Sequence, residues 1–285
     1  MHGRAVALGA GTVLNALSTG VGSAFAIDVE TTATVDLDDS GTVAGTIAEN
    51  EDADTRLIER CVELAIETYG DGDVSGGTVR TESDVPMAAG LKSSSAAANA
   101  TVLATADALG ADPEPLAACR LGVTAARDVG VTVTGAFDDA SASMLGGVTV
   151  TDNADDDLLA HDTVEWDVLV WTPPERAYSA DADVDRCGNV APMADLVADL
   201  ALDGRYAEAM TVNGLAFSAA LGFSADPAIE AMPHVEGVSL SGTGPSVVAV
   251  AEPASDGLEY VQEQWDERDG RTWRTTTRTD GARLE

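Results

Sequence analysis

The sequence predicts a mixed α/β or α+β protein in two domains, and three observations carry that prediction. Short apolar runs with strand-like patterning alternate with apolar residues at helical spacing through both halves of the chain. At 285 residues the chain can bury an ample core in two domains or one large one. An acidic stretch over 152–163 separates the halves, and a boundary there gives an N-terminal unit of 1–155 and a C-terminal unit of 156–285.

The elements follow in order. RAVALGAG reads as a short buried strand ending in a glycine turn, and AFAIDVETTATVDL alternates as a second strand, with residues 41–47 pairing back on it. Residues 55–69 place Leu57, Ile58, Cys61, Val62 and Ala65 on one helical face. GGTVRTESDVP is a strand closing at Pro86, and a Gly/Ser-rich loop then leads into a helix from Ser93 to Leu109. Asp112-Pro113 supplies an N-cap and a proline at the first helical position, for a helix reaching Asp128. Residues 131–152 read as strand, polar turn, short helix and strand. The second half opens on the buried strand TVEWDVLVWTP. Helices follow at 192–202 and 204–221, then the strands GVSLSG and SVVAVAEP, a helix at 256–267 and a terminal strand.

Charge excludes whole classes of partner. Fifteen basic residues against 49 acidic ones give a net charge of −34, which argues against nucleic acid or an anionic membrane as a partner. Apolar residues make up 45% of the chain and are periodic, which excludes disorder. The pattern is halophilic: self-repulsion that would destabilise the fold in dilute buffer is screened when the Debye length falls to about 3 Å at 1 M salt. The runs NEDAD and DNADDD then read as solvated loops. Cys61, Cys119 and Cys187 are widely spaced without a CxxC, as expected of reduced thiols, and three scattered histidines make no metal site. The N-terminal apolar stretch is interrupted by Gly9, Gly11, Asn15, Ser18, Thr19 and Gly20, and no run of 18 apolar residues occurs. The expectation is a cytoplasmic protein.

One stretch carries chemistry. PMAAGLKSSSAAANA, residues 86–100, holds Lys92, the only lysine in the chain, in a glycine-rich turn that delivers serines onto a helix start. The first-turn N–H groups of a helix lack intrahelical partners, and the dipole adds positive potential, so such a turn suits phosphate. Gly90 lets the backbone approach, Ser93, Ser94 and Ser95 offer hydroxyls, and Lys92 adds a point charge. A halophile has no need of that lysine for solvation. The stretch is not a Walker A motif, because no glycine sits at the required upstream position. Gly9-Ala10-Gly11 is not a dinucleotide fingerprint, because Leu14 stands at its third glycine.

P-x-x-x-G-L-x-S-S resembles the nucleotide-binding motif of the GHMP kinase superfamily, which usually has glycine where this chain has Lys92. GLKSSSA, NALSTGVGSAFAID (15–28), TGAFDDASAS (134–143), NGLAFSAALG (213–222) and SGTGPS (241–246) together resemble the archaeal-type shikimate kinases, in order and over nearly the whole chain. That resemblance implies a two-domain GHMP kinase fold, α+β with α/β alternation. Its N-terminal half is like ribosomal protein S5 domain 2 and its C-terminal half is ferredoxin-like, with ATP and the acceptor between them. It implies ATP and Mg2+ as cofactors and shikimate as the small-molecule substrate; homoserine, mevalonate or a regulatory role without catalysis are the alternatives.

By the same resemblance, Pro86, Met87, Ala88, Ala89, Gly90, Leu91, Lys92, Ser93, Ser94, Ser95 and Ala96 form the nucleotide loop. A carboxylate can take the hydroxyl proton of an alcohol acceptor. Counting back from Gly146-Gly147 selects Asp139 for that role, and matching the pair before Ala140 selects Asp138; Asp139 is preferred. Ser94 and Asp128 are the implied Mg2+ ligands, with Ser95 the alternative to Ser94. Asn15, Ser18, Thr19 and Ser23 are the candidates for the acceptor's hydroxyls. A carboxylate-bearing acceptor calls for an arginine, for which Arg4 and Arg186 are candidates, while Tyr178 and Trp171 read as packing.

Overall fold

The computed structural model describes residues 1–85, 89–175 and 182–285. Two long strands, β1 (His2–Leu14) and β2 (Val21–Asp38), pair antiparallel over most of their length and form the spine of a seven-stranded sheet. Across β2 lie β4 (Gly76–Ser83) toward one end and β5 (Val148–Asp152) toward the other, and β6 (Asp157–Asp162) extends from β5 as a hairpin. With both edges of β2 taken by β1 and β4, residues 41–47 do not pair back on β2 as the sequence suggested. They form β3 (Val43–Ile47), parallel to β4, with the helix α1 (Arg56–Tyr69) as the crossover.

Four helices follow the alternation that the sequence shows. The predicted face of α1 is buried at Leu57, Ile58, Cys61, Val62 and Ala65. The helix α2 (Ser93–Ala108) runs through the centre and is buried almost all round, which its alanines permit. A side chain at Gly3 would overlap the Ala104 carbonyl, so β1 and α2 touch backbone to backbone there. The helix α3 (Pro115–Val129) starts later than expected, because Glu114 rather than Asp112 caps it. The Glu114 carboxylate accepts the Ala117 N–H at 3.0 Å, and Pro115 takes the first turn. The expected strand at 131–134 is absent: Thr132 and Thr134 hydroxyls accept the Gly135 and Ala136 N–H groups at 3.1 and 3.2 Å, which shapes a loop leading into α4 (Phe137–Leu145).

The second sheet is antiparallel, in the order β10 (Arg271–Thr276), β7 (Asp167–Thr172), β9 (Val247–Ala251), β8 (Gly237–Leu240). Its strands show the period of two in full. Val168, Val170, Val248 and Val250 face α6 (Ala191–Leu202) and α7 (Tyr206–Leu221), while Leu169, Val247 and Ala249 face α8 (Asp226–Ala231) and α9 (Gly257–Asp266). A short helix α5 (Val184–Gly188) precedes α6. The first of those layers is shared, since Val13, Phe25 and Ile27 of the first sheet join the same core. Each such side chain contributes about 1.5–3 kcal/mol on burial, so the two sheets are fastened by apolar packing. A cut at 155/156 falls inside the β5–β6 hairpin; the second sheet begins only at Asp167, and β11 (Arg283–Leu284) returns to pair with β1. All three cysteines are buried free thiols. Among the described residues no helix is long and apolar enough to cross a membrane.

Candidate active site

The retained lysine sits at the junction that the fold builds most carefully. Lys92 is the residue before α2 and has φ +67°, a left-handed conformation that a side chain occupies at a cost of about 1–2 kcal/mol. Behind it, the N–H groups of Ser93, Ser94 and Ser95 have no acceptor among the described residues. A cavity of about 680 Å³ opens onto this helix end. Gly90, Lys92, Ser93, Ser94 and Ser95 line one side of it together with Gly242 and Thr243; Ile47, the 50–56 loop, Val123, Ala126 and Val131 form the other walls. Ala89 and Leu91 instead point into the core beneath the loop, and Ala96 is enclosed within α2. Pro86, Met87, Ala88 and Tyr178 lie outside the described residues.

A second helix end meets the first. The residue before α4, Ala136, is also left-handed at φ +53°, so two of the four non-glycine residues with positive φ among the described residues flank this one cavity. The geometry brings Asp139, in the first turn of α4, within 2.9 Å of Lys92 Nζ. Both side chains are largely enclosed, at 7% and 15% exposure, and the approach is that of an ion pair rather than an aligned hydrogen bond. Enclosing two charges costs desolvation that their attraction barely offsets, so such a pair is weak evidence of a stabilising role. The ammonium is wedged against Gly242, where a side chain would collide with it.

Asp138 is fixed separately and more deeply, at 4% exposure. Asn153 Nδ2 donates to its Oδ1 at 2.7 Å, and its carboxylate packs over Gly22, where any side chain would overlap it. Burial and then the neighbouring Asp139 charge push the Asp138 carboxyl up to about 7, against the pull of Lys92 and Asn153. The folded state therefore holds this proton more tightly than the unfolded chain, and stability is lost as pH rises from about 4 to about 7, with no further change above. Asp138→Asn removes that titration. Its Tm should rise relative to wild type between those limits and keep a constant offset at higher pH; an offset independent of pH throughout would place the titration elsewhere. Both aspartates, with Asn15, Ala16, Leu17 and Thr132–Thr134, line a smaller cavity of about 50 Å³ beside the first.

The turn between β8 and β9 ties these parts together. Ser241 Oγ donates to the Gly90 carbonyl at 2.8 Å, and Gly242 N–H donates to Thr12 Oγ1 at 2.7 Å. Asn15 Nδ2 donates to the Gly242 carbonyl at 2.8 Å, while Asn213 Oδ1 on α7 accepts the Asn15 N–H at 2.9 Å. Gly90 has φ +77°, and a side chain there would overlap the Ser241 carbonyl, which accounts for the glycine. Asn15 thus belongs to the site as a tether. Ser18 and Thr19 belong to the adjoining turn but line neither cavity. Ser23 is one residue on from Gly22, hence on the opposite face of β2, and also lines neither.

Asp128 corrects the sequence expectation for Mg2+. It lies on the surface at the end of α3, where Arg60 Nε donates to it at 2.8 Å, and it does not reach the cavity. Arg4 pairs with Glu285 at 2.8 Å and Arg186 donates to the Ala219 carbonyl at 3.0 Å, so neither faces the site. Trp171 packs beside the α8–α9 layer with the Arg268 guanidinium over its ring. Among the described residues no group of three His, Cys, Asp or Glu side chains is placed to hold a metal ion. The oxygens on offer, chiefly the Ser94 and Ser95 hydroxyls, fit Mg2+ arriving on a nucleotide, since that ion takes few protein ligands and keeps water and phosphate.

Two helix ends, an enclosed ammonium and a carboxylate beside a smaller chamber suit phosphoryl transfer to a small molecule. Comparison with known proteins agrees. Residues 56–147 match the GHMP kinases N terminal domain. The chain is 64% identical to a shikimate kinase of Halobacterium salinarum, covering 99% of each, and 51% identical to one of Methanococcoides burtonii, covering 88% and 87%. Among solved structures, the mevalonate kinase of Methanococcus jannaschii superposes with a TM-score of 0.78 at 13% identity, over 97% of this chain and 98% of that one. The homoserine kinase of Cytophaga hutchinsonii superposes with 0.72 at 17%, over 100% and 97%. The chain belongs to the shikimate kinase family, within the GHMP kinases. It is an ATP-dependent kinase of a small-molecule alcohol.

Proposed function

We propose that this enzyme transfers the γ-phosphoryl group of ATP to the 3-hydroxyl of shikimate. The observation that carries the site assignment is the enclosed Lys92–Asp139 pair where the serine-rich end of α2 meets the β8–β9 turn. The large cavity takes the nucleotide, with its phosphates toward the N–H groups of Ser93–Ser95 at the start of α2; the small one takes the acceptor. Asp139 accepts the proton of the attacking hydroxyl, and Lys92 holds that carboxylate in place while presenting positive charge to the transferring group. Ser94, with Ser95 beside it, would hold Mg2+, which supplies charge neutralisation on the phosphate oxygens. Asn15 fixes the acceptor turn against Gly242. The identity of the acceptor is supported by the 64% identical relative and not by pocket chemistry.

The test is ADP release in molar KCl with Mg-ATP and one alcohol at a time. Turnover is expected with shikimate and not with homoserine or mevalonate. Turnover with another of the three would keep the chemistry and overturn the substrate.

A further inference from the structure

The DNADDD run, read from sequence as a solvated loop, holds a residue that is not solvated at all. Asn153 is 2% exposed, directly after β5, and lines neither cavity. Its side chain makes a two-point clasp on Asp138: Nδ2 donates to Oδ1 at 2.7 Å, and Oδ1 accepts the Asp138 N–H at 3.1 Å. Thr151 Oγ1 also donates to that amide oxygen, at 2.8 Å, so two donors pin the oxygen and the nitrogen must face the carboxylate. An aspartate in its place would set one carboxylate against another.

The same residue grips the other walls of the small cavity. Asn153 N–H donates to the Gly20 carbonyl at 3.0 Å, at the end of the acceptor turn, and Nδ2 also reaches Thr134 Oγ1 at 3.4 Å. Its own carbonyl accepts from Arg127 Nη2 at 3.0 Å, and Arg127 is in turn forked onto Asp156 at 2.6 and 2.7 Å. With Asn153 holding Oδ1, Asp138 Oδ2 lies over Gly22, and Asp138 itself lines the small cavity.

We propose that Asn153 is a positioning residue for the acceptor: it holds Asp138, the Gly20 turn and the Thr134 loop in one register, so that Asp138 can bind an acceptor hydroxyl while the neighbouring Asp139 takes the proton. This rests on the small cavity being the acceptor site. The effect of loosening it is confined to that side, because among the described residues none of Asn153's hydrogen bonds reaches the nucleotide loop.

The test is a comparison of Asn153→Asp, which keeps the shape, and Thr151→Val, which removes one of the two pins and keeps the volume. Initial rates are measured with each substrate varied against saturating amounts of the other, and Tm alongside. For Asn153→Asp, kcat over KM for the acceptor should fall by about 100-fold, the scale set by a misplacement of roughly 1 Å, with KM for ATP within about twofold of wild type. Thr151→Val should show the same split more weakly. Equal losses for ATP and acceptor, or a lowered Tm with both KM values unchanged, would overturn the proposal. Should wild type prefer an alcohol other than shikimate, the split is read on that alcohol, so failure of the substrate assignment leaves this test intact.

Discussion

Asp139→Asn is expected to lower turnover by about 10²–10⁴-fold, the range that a positioned general base supplies, while Mg-ATP binding is retained. The substitution keeps the shape of the first turn of α4 but removes the charge that holds Lys92 at 2.9 Å. With that partner gone, the ammonium is free to turn wholly toward phosphate, so ATP affinity measured by calorimetry should be equal to wild type or tighter. A variant that loses affinity and turnover together would move Asp139 from the acceptor side to the nucleotide side. A variant with turnover intact would leave Asp138 as the base.

Lys92 offers a comparison of two substitutions. Lys92→Ala and Lys92→Gly both remove the ammonium, and both should lower kcat by about 10²–10³-fold, the cost of losing one preorganised group aimed at developing charge. They should differ in stability. The backbone at 92 is left-handed, which glycine adopts freely and alanine does not, so Lys92→Gly should be the more stable by about 1 kcal/mol, read as a higher Tm in the same salt. The GHMP kinases usually carry glycine at this position. Here the chain holds a strained conformation so that an ammonium can stand between Gly242 and Asp139. If Lys92→Gly proves as active as wild type, the charge is dispensable and the strain has no catalytic return.

The residues that were legible in the sequence are those whose chemistry is local. A helix start rich in glycine and serine announces itself by composition, and α1 by its apolar spacing, because both depend on neighbours a few positions away. A lone lysine in an acidic chain is legible for the same reason. What sequence did not reveal depends on contacts made across the fold. Asn153 is disguised among aspartates, and only the packing of β5 against α4 distinguishes it from them. Asp128 had a plausible address at a helix end, but Arg60 on α1 claims it, and nothing in the sequence links residues 60 and 128. Ser23 fell to the period of two in β2, where one position decides between the Asp138 side and the opposite face. The lysine's partner was hidden too: sequence pointed Lys92 at phosphate, and the fold also gives it a carboxylate.

The scarcity of lysine has a practical side. Reagents that attack primary amines usually find many side chains on a protein of this size, and the product is a mixture. This chain presents one ε-amino group, enclosed at 7% exposure in the proposed catalytic cavity. Acylation of a side-chain amine is therefore synonymous with modification of the proposed active site. The adaptation that cleared lysine from the surface has left the enzyme with a built-in, single-copy chemical handle on its own occupancy.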